Sequence, residues 1–232
     1  MPRRLAAAVA AGACLAIAFA LWPGAELSVP SGQWRQNQPG DGSELQFGPG
    51  SEASLDFSAE RRLVRLESGS VIVEAAKDPN RPLIVQTPYG SVRVVGTRFT
   101  VIVDANSAEV SVTRGEVRVT PANSPDAGLS VLPMQRAHIS QTAVALGTGA
   151  NVQPEEILEG WRTLSQAPLS DLTTALERET GRRVVLAPTP AVRAVSASGR
   201  FYVRNAEATL SQLVNAYGLH RTDAPFGVTI LY

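Results

Sequence analysis

Gly96-Thr97 is the one place in this 232-residue chain where residue types alone suggest covalent chemistry. A threonine hydroxyl can attack the carbonyl carbon of the residue before it, converting the peptide to an ester that water then cleaves. A glycine in front helps, because a residue without Cβ tolerates the strained backbone such an attack requires. A purely architectural reading stands beside it, with Gly96 as a bulge and Thr97 as an ordinary strand residue.

The other candidates are weaker. His138 lies in a strand-like run and His220 just after a helix-like one. Neither has a second ligand nearby in sequence, so both read as structural or surface imidazoles. No Gly-x-Ser-x-Gly elbow occurs, and two histidines leave little from which to build a Ser/His/Asp triad. Gly147-Thr148-Gly149 starts like a dinucleotide fingerprint but lacks the third glycine and the following helix, so it reads as linker. Glu155-Glu156 reads as a solvated turn rather than an acid/base pair. Arg61-Arg62 and Arg182-Arg183 read as exposed strand-edge charges that discourage aggregation. No cofactor and no metal site is expected, and the chain is expected not to be an enzyme, self-cleavage at Gly96-Thr97 apart.

Composition agrees. With 21 Lys+Arg against 21 Asp+Glu the net charge is 0, and 44% of residues are hydrophobic. That excludes a disordered chain and argues against a nucleic-acid binder, which needs a cationic face for phosphates. The single cysteine, Cys14, cannot form an intramolecular disulfide.

The elements that must position Gly96-Thr97 are strands. Short β-branched runs fall at residues 44–47, 53–57, 63–67, 71–75, 83–87, 91–95, 99–103, 109–113, 116–120, 129–132 and 136–140. Turn residues separate them, among them Asp41-Gly42, Ser68-Gly69, Pro88-Tyr89-Gly90 and Arg114-Gly115. This spacing predicts an all-β sandwich, roll or solenoid-like stack. Val110, Val112, Val117 and Val119 should face inward, with Arg114, Glu116 and Arg118 outward. Residues 25–40 are polar and aperiodic and read as a linker ending in a first strand.

After a second linker the period becomes helical. Pro168 opens a helix with Leu169, Leu172 and Leu176 on one face and Gly181 at its end. Asn205 caps another, with Leu210, Leu213, Val214 and Tyr217, stopped by Gly218. Strand-like segments at 183–187, 195–203, 219–222 and 228–231 complete a β-α-β-β-α-β-β order. That order describes a small α+β domain with two helices on one face of a sheet. The expected organisation is a stub and anchor over residues 1–24, a β domain over 25–142, a linker over 143–159 and the α+β domain over 160–232.

The anchor is read from Arg3 and Arg4, followed by an uncharged run over residues 5–22 and then Pro23-Gly24. As a helix this run would span about 27 Å, close to the hydrocarbon core of a bilayer. The expectation is an uncleaved single-pass anchor. A signal peptide cut after Ala18-Phe19-Ala20 and a lipid anchor at Cys14 are the alternatives. Each leaves Arg3 and Arg4 cytoplasmic and exports the rest.

Six ordered motifs in the β-rich stretch carry a resemblance. They are Asp41-Gly42-Ser43; Arg61-Arg62-Leu63-Val64-Arg65-Leu66 with Gly69; Lys77-Asp78-Pro79-Asn80-Arg81-Pro82-Leu83; Thr87-Pro88-Tyr89-Gly90; Val95-Gly96-Thr97-Arg98-Phe99-Thr100-Val101; and Gly115-Glu116-Val117-Arg118-Val119. Together they resemble the FecR domain, a periplasmic module of bacterial transmembrane sigma-factor regulators (anti-sigma factors). The C-terminal domain resembles the secretin/TonB short N-terminal (STN) module, through Gly160-Trp161-Arg162, Pro168-Leu169, Leu176, the stretch 195–201 and Leu210/Leu213.

The resemblance implies an inner-membrane, single-pass protein with its bulk in the periplasm. It implies signal transduction for iron and siderophore uptake, by contact with the signalling domain of a TonB-dependent outer-membrane receptor. Periplasmic and intramembrane proteases would be further partners, and self-cleavage at a Gly-Thr pair is reported for such proteins. Only four residues precede the apolar run, so the segment that holds an extracytoplasmic-function (ECF) sigma factor is expected to be missing from this chain. Ser70 replaces a frequent acidic residue, and Pro133-Met134-Gln135 replaces a Gly-Gln turn. For the receptor contact the edge at 195–203 stands out, because an unpaired strand edge can accept a strand from a partner. Arg200, Tyr202 and Arg204 alternate there, as binding residues or as a solvated face. Trp161 is expected in an interdomain contact or a core. The alternative function is an envelope binding or scaffold protein that uses the β domain for glycan or protein attachment.

Overall fold

The computed structural model describes residues 25–147 and 154–232. The expected anchor falls on residues 1–24 and lies outside the described residues, as do Thr148 and Gly149.

The first region is β apart from one 3-10 turn at Pro125–Ala127. Its strands are β1 (Ala25–Ser28), β2 (Arg35–Asn37), β3 (Glu44–Phe47), β4 (Glu52–Phe57), β5 (Arg62–Glu74), β6 (Leu83–Thr87) and β7 (Gly90–Val94). β8 (Arg98–Val103), β9 (Ala108–Arg114), β10 (Val117–Pro121), β11 (Leu129–Val131), β12 (Arg136–Ile139) and β13 (Val144–Leu146) follow. Period-two patterning sets their faces: Val117 and Val119 are buried and Arg118 between them is exposed.

β5 organises the sheet. Its first half pairs with β4 and, in parallel, with β6; its second half pairs with β3 and β8. A straight strand of its 13 residues would span about 43 Å, and the eight residues between β5 and β6 reach only about 28 Å. The strand therefore doubles back, and Arg62 at its start hydrogen-bonds the Ala76 carbonyl just past its end, at 2.9 Å. The bend is at Gly69 (φ 90°), where a Cβ would lie 2.4 Å from Ser51 Cα. The turn expected at Ser68-Gly69 is thus a kink inside one strand, possible because glycine alone fits both the φ and the contact. Folding the sheet over brings Val64, Leu66, Val85 and Val117 into one core with Val71, Val73, Phe99 and Val110.

Residues 25–40 are not a linker. β1 pairs with β4 and β2 with β3, and Leu27 and Val29 enter the core. Two apolar residues at spacing two were too short a pattern to show through the surrounding Pro and Gly. The stretch read as the second linker carries β13, paired with β12, and the short helix α1 (Pro154–Leu158).

The second region runs β14 (Trp161–Pro168), α2 (Leu169–Thr180), β15 (Arg183–Leu186), α3 (Pro190–Arg193), β16 (Ser196–Tyr202), α4 (Ala206–Tyr217), β17 (Arg221–Ala224) and β18 (Val228–Leu231). The β-α-β-β-α-β-β order holds, with α3 as one added turn. The Asn205 carboxamide accepts the Ala208 N–H, and Gly181 and Gly218 close their helices in the left-handed region. The expected single sheet is two ladders, β14–β16 and β15–β18–β17. Leu164 and Phe201 from the first, Val184 and Leu231 from the second, and Leu172, Leu176, Leu210 and Leu213 from the helices share one core. Helices that are apolar towards both ladders cannot lie on one face of a single sheet.

Candidate functional site

Gly96-Thr97 lies between β7 and β8, against the loop of residues 75–82. The Ala75 N–H donates to the Thr97 carbonyl and the Asp78 N–H to the Val95 carbonyl, each at 2.9 Å. Gly96 is needed for that approach: a Cβ there would sit 2.9 Å from Lys77 Cβ. Its φ lies outside the left-handed region, so close packing rather than backbone strain explains the glycine. Thr97 is 3% exposed, and its Oγ1 is buried without a hydrogen-bond partner. The hydroxyl is therefore free of competing bonds, next to the carbonyl it would attack.

The loop is clamped by a buried arginine. Arg62, 1% exposed, is the largest fully buried side chain among the described residues. Its Nε donates to the Arg81 carbonyl (2.6 Å), and its Nη1 to Asp41 Oδ2 (3.0 Å) and the Ala76 carbonyl (2.9 Å). Asp41 is fixed in turn by the Ser43 N–H and hydroxyl, each at 2.9 Å. Ser43 Oγ accepts the Ala76 N–H at 3.0 Å. Burial would raise the Asp41 pKa, but hydrogen bonds from Ser43 and Arg62 outweigh it and hold the carboxylate below its usual range. Asp78 holds Arg81. Three separate sequence motifs thus converge on the loop that abuts Gly96. The reading of Arg61-Arg62 as two exposed charges is corrected: Arg61 pairs with Asp56 at the surface, while Arg62 points inward, as strand alternation requires of neighbours.

A second cluster joins the two regions. Asp104, directly after β8 and 8% exposed, takes both oxygens to Arg162 Nη2 (3.3 and 3.1 Å) and one to Arg178 Nη1 (3.8 Å). The Gly32 N–H donates to the Arg178 carbonyl at 2.9 Å, and Ile102 packs with Ile157 and Trp34. Asp171, in the first turn of α2, is 6% exposed. Burial, then the Asp104 charge, push its carboxyl up to about 6, and Arg162 opposes them. Sequence reasoning missed this seam. Asp104 and Arg162 are 58 residues apart, and no spacing rule connects them.

The proposed recognition strand divides. The Arg200 guanidinium lies 4.2 Å over the Trp161 ring and pairs with Glu156 at 3.4 Å. Tyr202 stacks tilted on Trp161 at 5.0 Å and is half-exposed. Arg204 is exposed too, but its guanidinium is taken up by the Leu158 carbonyl (2.6 Å) and Glu179 (3.4 Å). Arg200 and Tyr202 share a surface with Trp161, and Arg204 does not join them. Among the described residues, β16 pairs on one edge only, with β14. No grouping of metal-ligating side chains occurs among the described residues.

The family model described as FecR protein matches residues 25–118. That span includes Asp41, Ser43, Arg62, Asp78 and Gly96-Thr97. Two solved structures, at 1.65 and 2.50 Å, of a Parabacteroides distasonis protein assigned as an anti-sigma factor are similar to the chain. Their TM-scores are 0.78 and 0.79 at 23% identity, over 90% of this chain and 98% of theirs. At that identity the likeness establishes the fold. No curated protein sequence matches the chain.

Proposed function

Because its β domain belongs to the FecR protein family, we propose that this chain is the signal-receiving part of a sigma-factor regulator. The observation that carries the reading is the paired architecture. The family β domain is docked on an α+β domain, and the same pair fills nearly all of the solved chain assigned as an anti-sigma factor. On this reading the α+β domain meets the signalling domain of a TonB-dependent outer-membrane receptor. The process controlled is uptake of iron–siderophore complexes, and the apolar run of residues 5–22 anchors the chain in the inner membrane.

A relay can be traced through the fold. Thr97 immediately precedes β8 and Asp104 immediately follows it, and Asp104 holds Arg162 and Arg178 of the α+β domain. Receptor contact that displaces the α+β domain loads Asp104, and through β8 the loop carrying Thr97. Self-cleavage would supply a second stage. Thr97 Oγ1 attacks the Gly96 carbonyl carbon, the C–N bond breaks, and the hydroxyl proton passes to the freed amine. Water then hydrolyses the ester to a Gly96 carboxylate and a Thr97 hydroxyl, and envelope proteases act on the loosened domain.

The test is a titration of the full chain, in detergent, with the signalling domain of a receptor encoded beside it. Saturable binding is expected, and no interaction at high micromolar concentration overturns the reading. On the same preparation a denaturing gel should show two fragments for wild type and Thr97→Ser and one band for Thr97→Ala. An intact wild type after prolonged incubation removes the cleavage stage alone.

A further inference from the structure

Beside Gly96-Thr97, on the outer face of the sheet, an open groove is lined by Lys77, Arg93, Val95, Glu116 and Arg118. Arg93 and Arg118 stand directly opposite each other across β7 and β10. Like charges at such positions repel and cost stability. Elsewhere in the β domain Arg61, Arg62, Arg81, Arg98, Arg114 and Arg136 each meet a carboxylate. Among the described residues, Lys77, Arg93 and Arg118 have no such partner, although Glu116 stands in the same groove. The Arg118 guanidinium lies over Gly128, where a Cβ would come within 3.2 Å of Nη2.

We propose that this groove binds an acidic peptide segment of a partner protein, seating a carboxylate between Arg93 and Arg118. Charge complementarity selects the occupant. Three cations call for anionic groups, and Glu116 among them disfavours a dense polyanion while accepting peptide N–H groups or a cation. Val95, 38% exposed at the same groove, offers apolar contact that a phosphate headgroup would not use. A segment alternating carboxylates with small apolar side chains satisfies all three features. Bound there, it covers the outer side of Gly96-Thr97 and of Lys77. The site therefore sits where a partner would control access to that bond, and it stands whether or not the bond is cleaved.

The probe is a fluorescein-labelled Glu-Val-Glu-Val-Glu peptide, followed by anisotropy against the full chain in neutral detergent at low ionic strength. Saturable binding is expected, weakened at least tenfold by Arg93→Gln or Arg118→Gln and little changed by the distant Arg183→Gln. It should weaken as salt rises, because exposed charges are screened. Arg118→Gln should also leave the thermal midpoint equal or higher at low salt, since a repulsion is removed. Three binding outcomes overturn the proposal. They are no saturable binding, binding indifferent to both substitutions, and displacement of the peptide by glycerol 1-phosphate at equal concentration, which would mark a general phosphate site. A clear fall in thermal midpoint for Arg118→Gln would make the arginine pair structural and overturn it as well.

Discussion

Two buried ionic hubs, Arg62 and Asp104, differ in what satisfies them. Arg62 is held by three backbone carbonyls and one carboxylate, all from the β domain. Asp104 is held by two guanidinium side chains that belong to the other domain. Backbone acceptors cannot leave without unfolding the loops that carry them. Side chains on a separate core can withdraw as a body and be hydrated again. Equally buried charges therefore serve as a permanent clamp in one place and as a separable contact in the other.

The largest effect should come from breaking the clamp. Arg62→Met would leave Asp41 charged and buried and three carbonyls without their donor, costing about 3–5 kcal/mol. Urea titration should show the β domain losing its cooperative transition near physiological temperature. A loss below about 1 kcal/mol would mean that water replaces the guanidinium and that the clamp is no more fixed than the seam.

The comparison also explains what the sequence could reveal. Strand positions were legible because β-branched runs alternate, and β3 and β6 fall on the residues read for them. The helices were legible through leucine spacing and their caps. The kink at Gly69 was read as a turn because glycine signals both, and only the packing of Ser51 distinguishes them. Arg62 was read as exposed because a charged pair hides which member faces inward. Thr97 was legible as a candidate by residue type. Asp104, Arg162 and Arg178 carry no local pattern, since their partners are chosen by how two domains meet.

Asp104→Asn should come next, at about 2–3 kcal/mol of docking free energy, because Arg162 and Arg178 lose their carboxylate in a buried seam. The expected signature is local. Hydrogen exchange should speed up at the Gly32 N–H, which bonds the Arg178 carbonyl, while core amides such as those of β8 keep their protection. Uniform loss of protection across both cores would show that the seam and the clamp are one cooperative unit.

The smallest effect is a pH dependence that belongs to the seam alone. The Asp171 carboxyl is raised from 3.8 to about 6, by burial first and then by Asp104. Between those two values the folded protein binds a proton that the unfolded chain has released, so stability falls as pH rises through the window and is flat above it. The full shift corresponds to about 2 kcal/mol once solvent screening is allowed for. Asp171→Asn should therefore stabilise the protein at pH 7 and flatten the thermal midpoint between pH 4 and 6. Asp104→Asn should reduce the same slope, because it removes the charge that opposes ionisation of Asp171. If the slope survives Asp104→Asn unchanged, burial alone sets the Asp171 pKa, and the two carboxyls are not coupled across the seam.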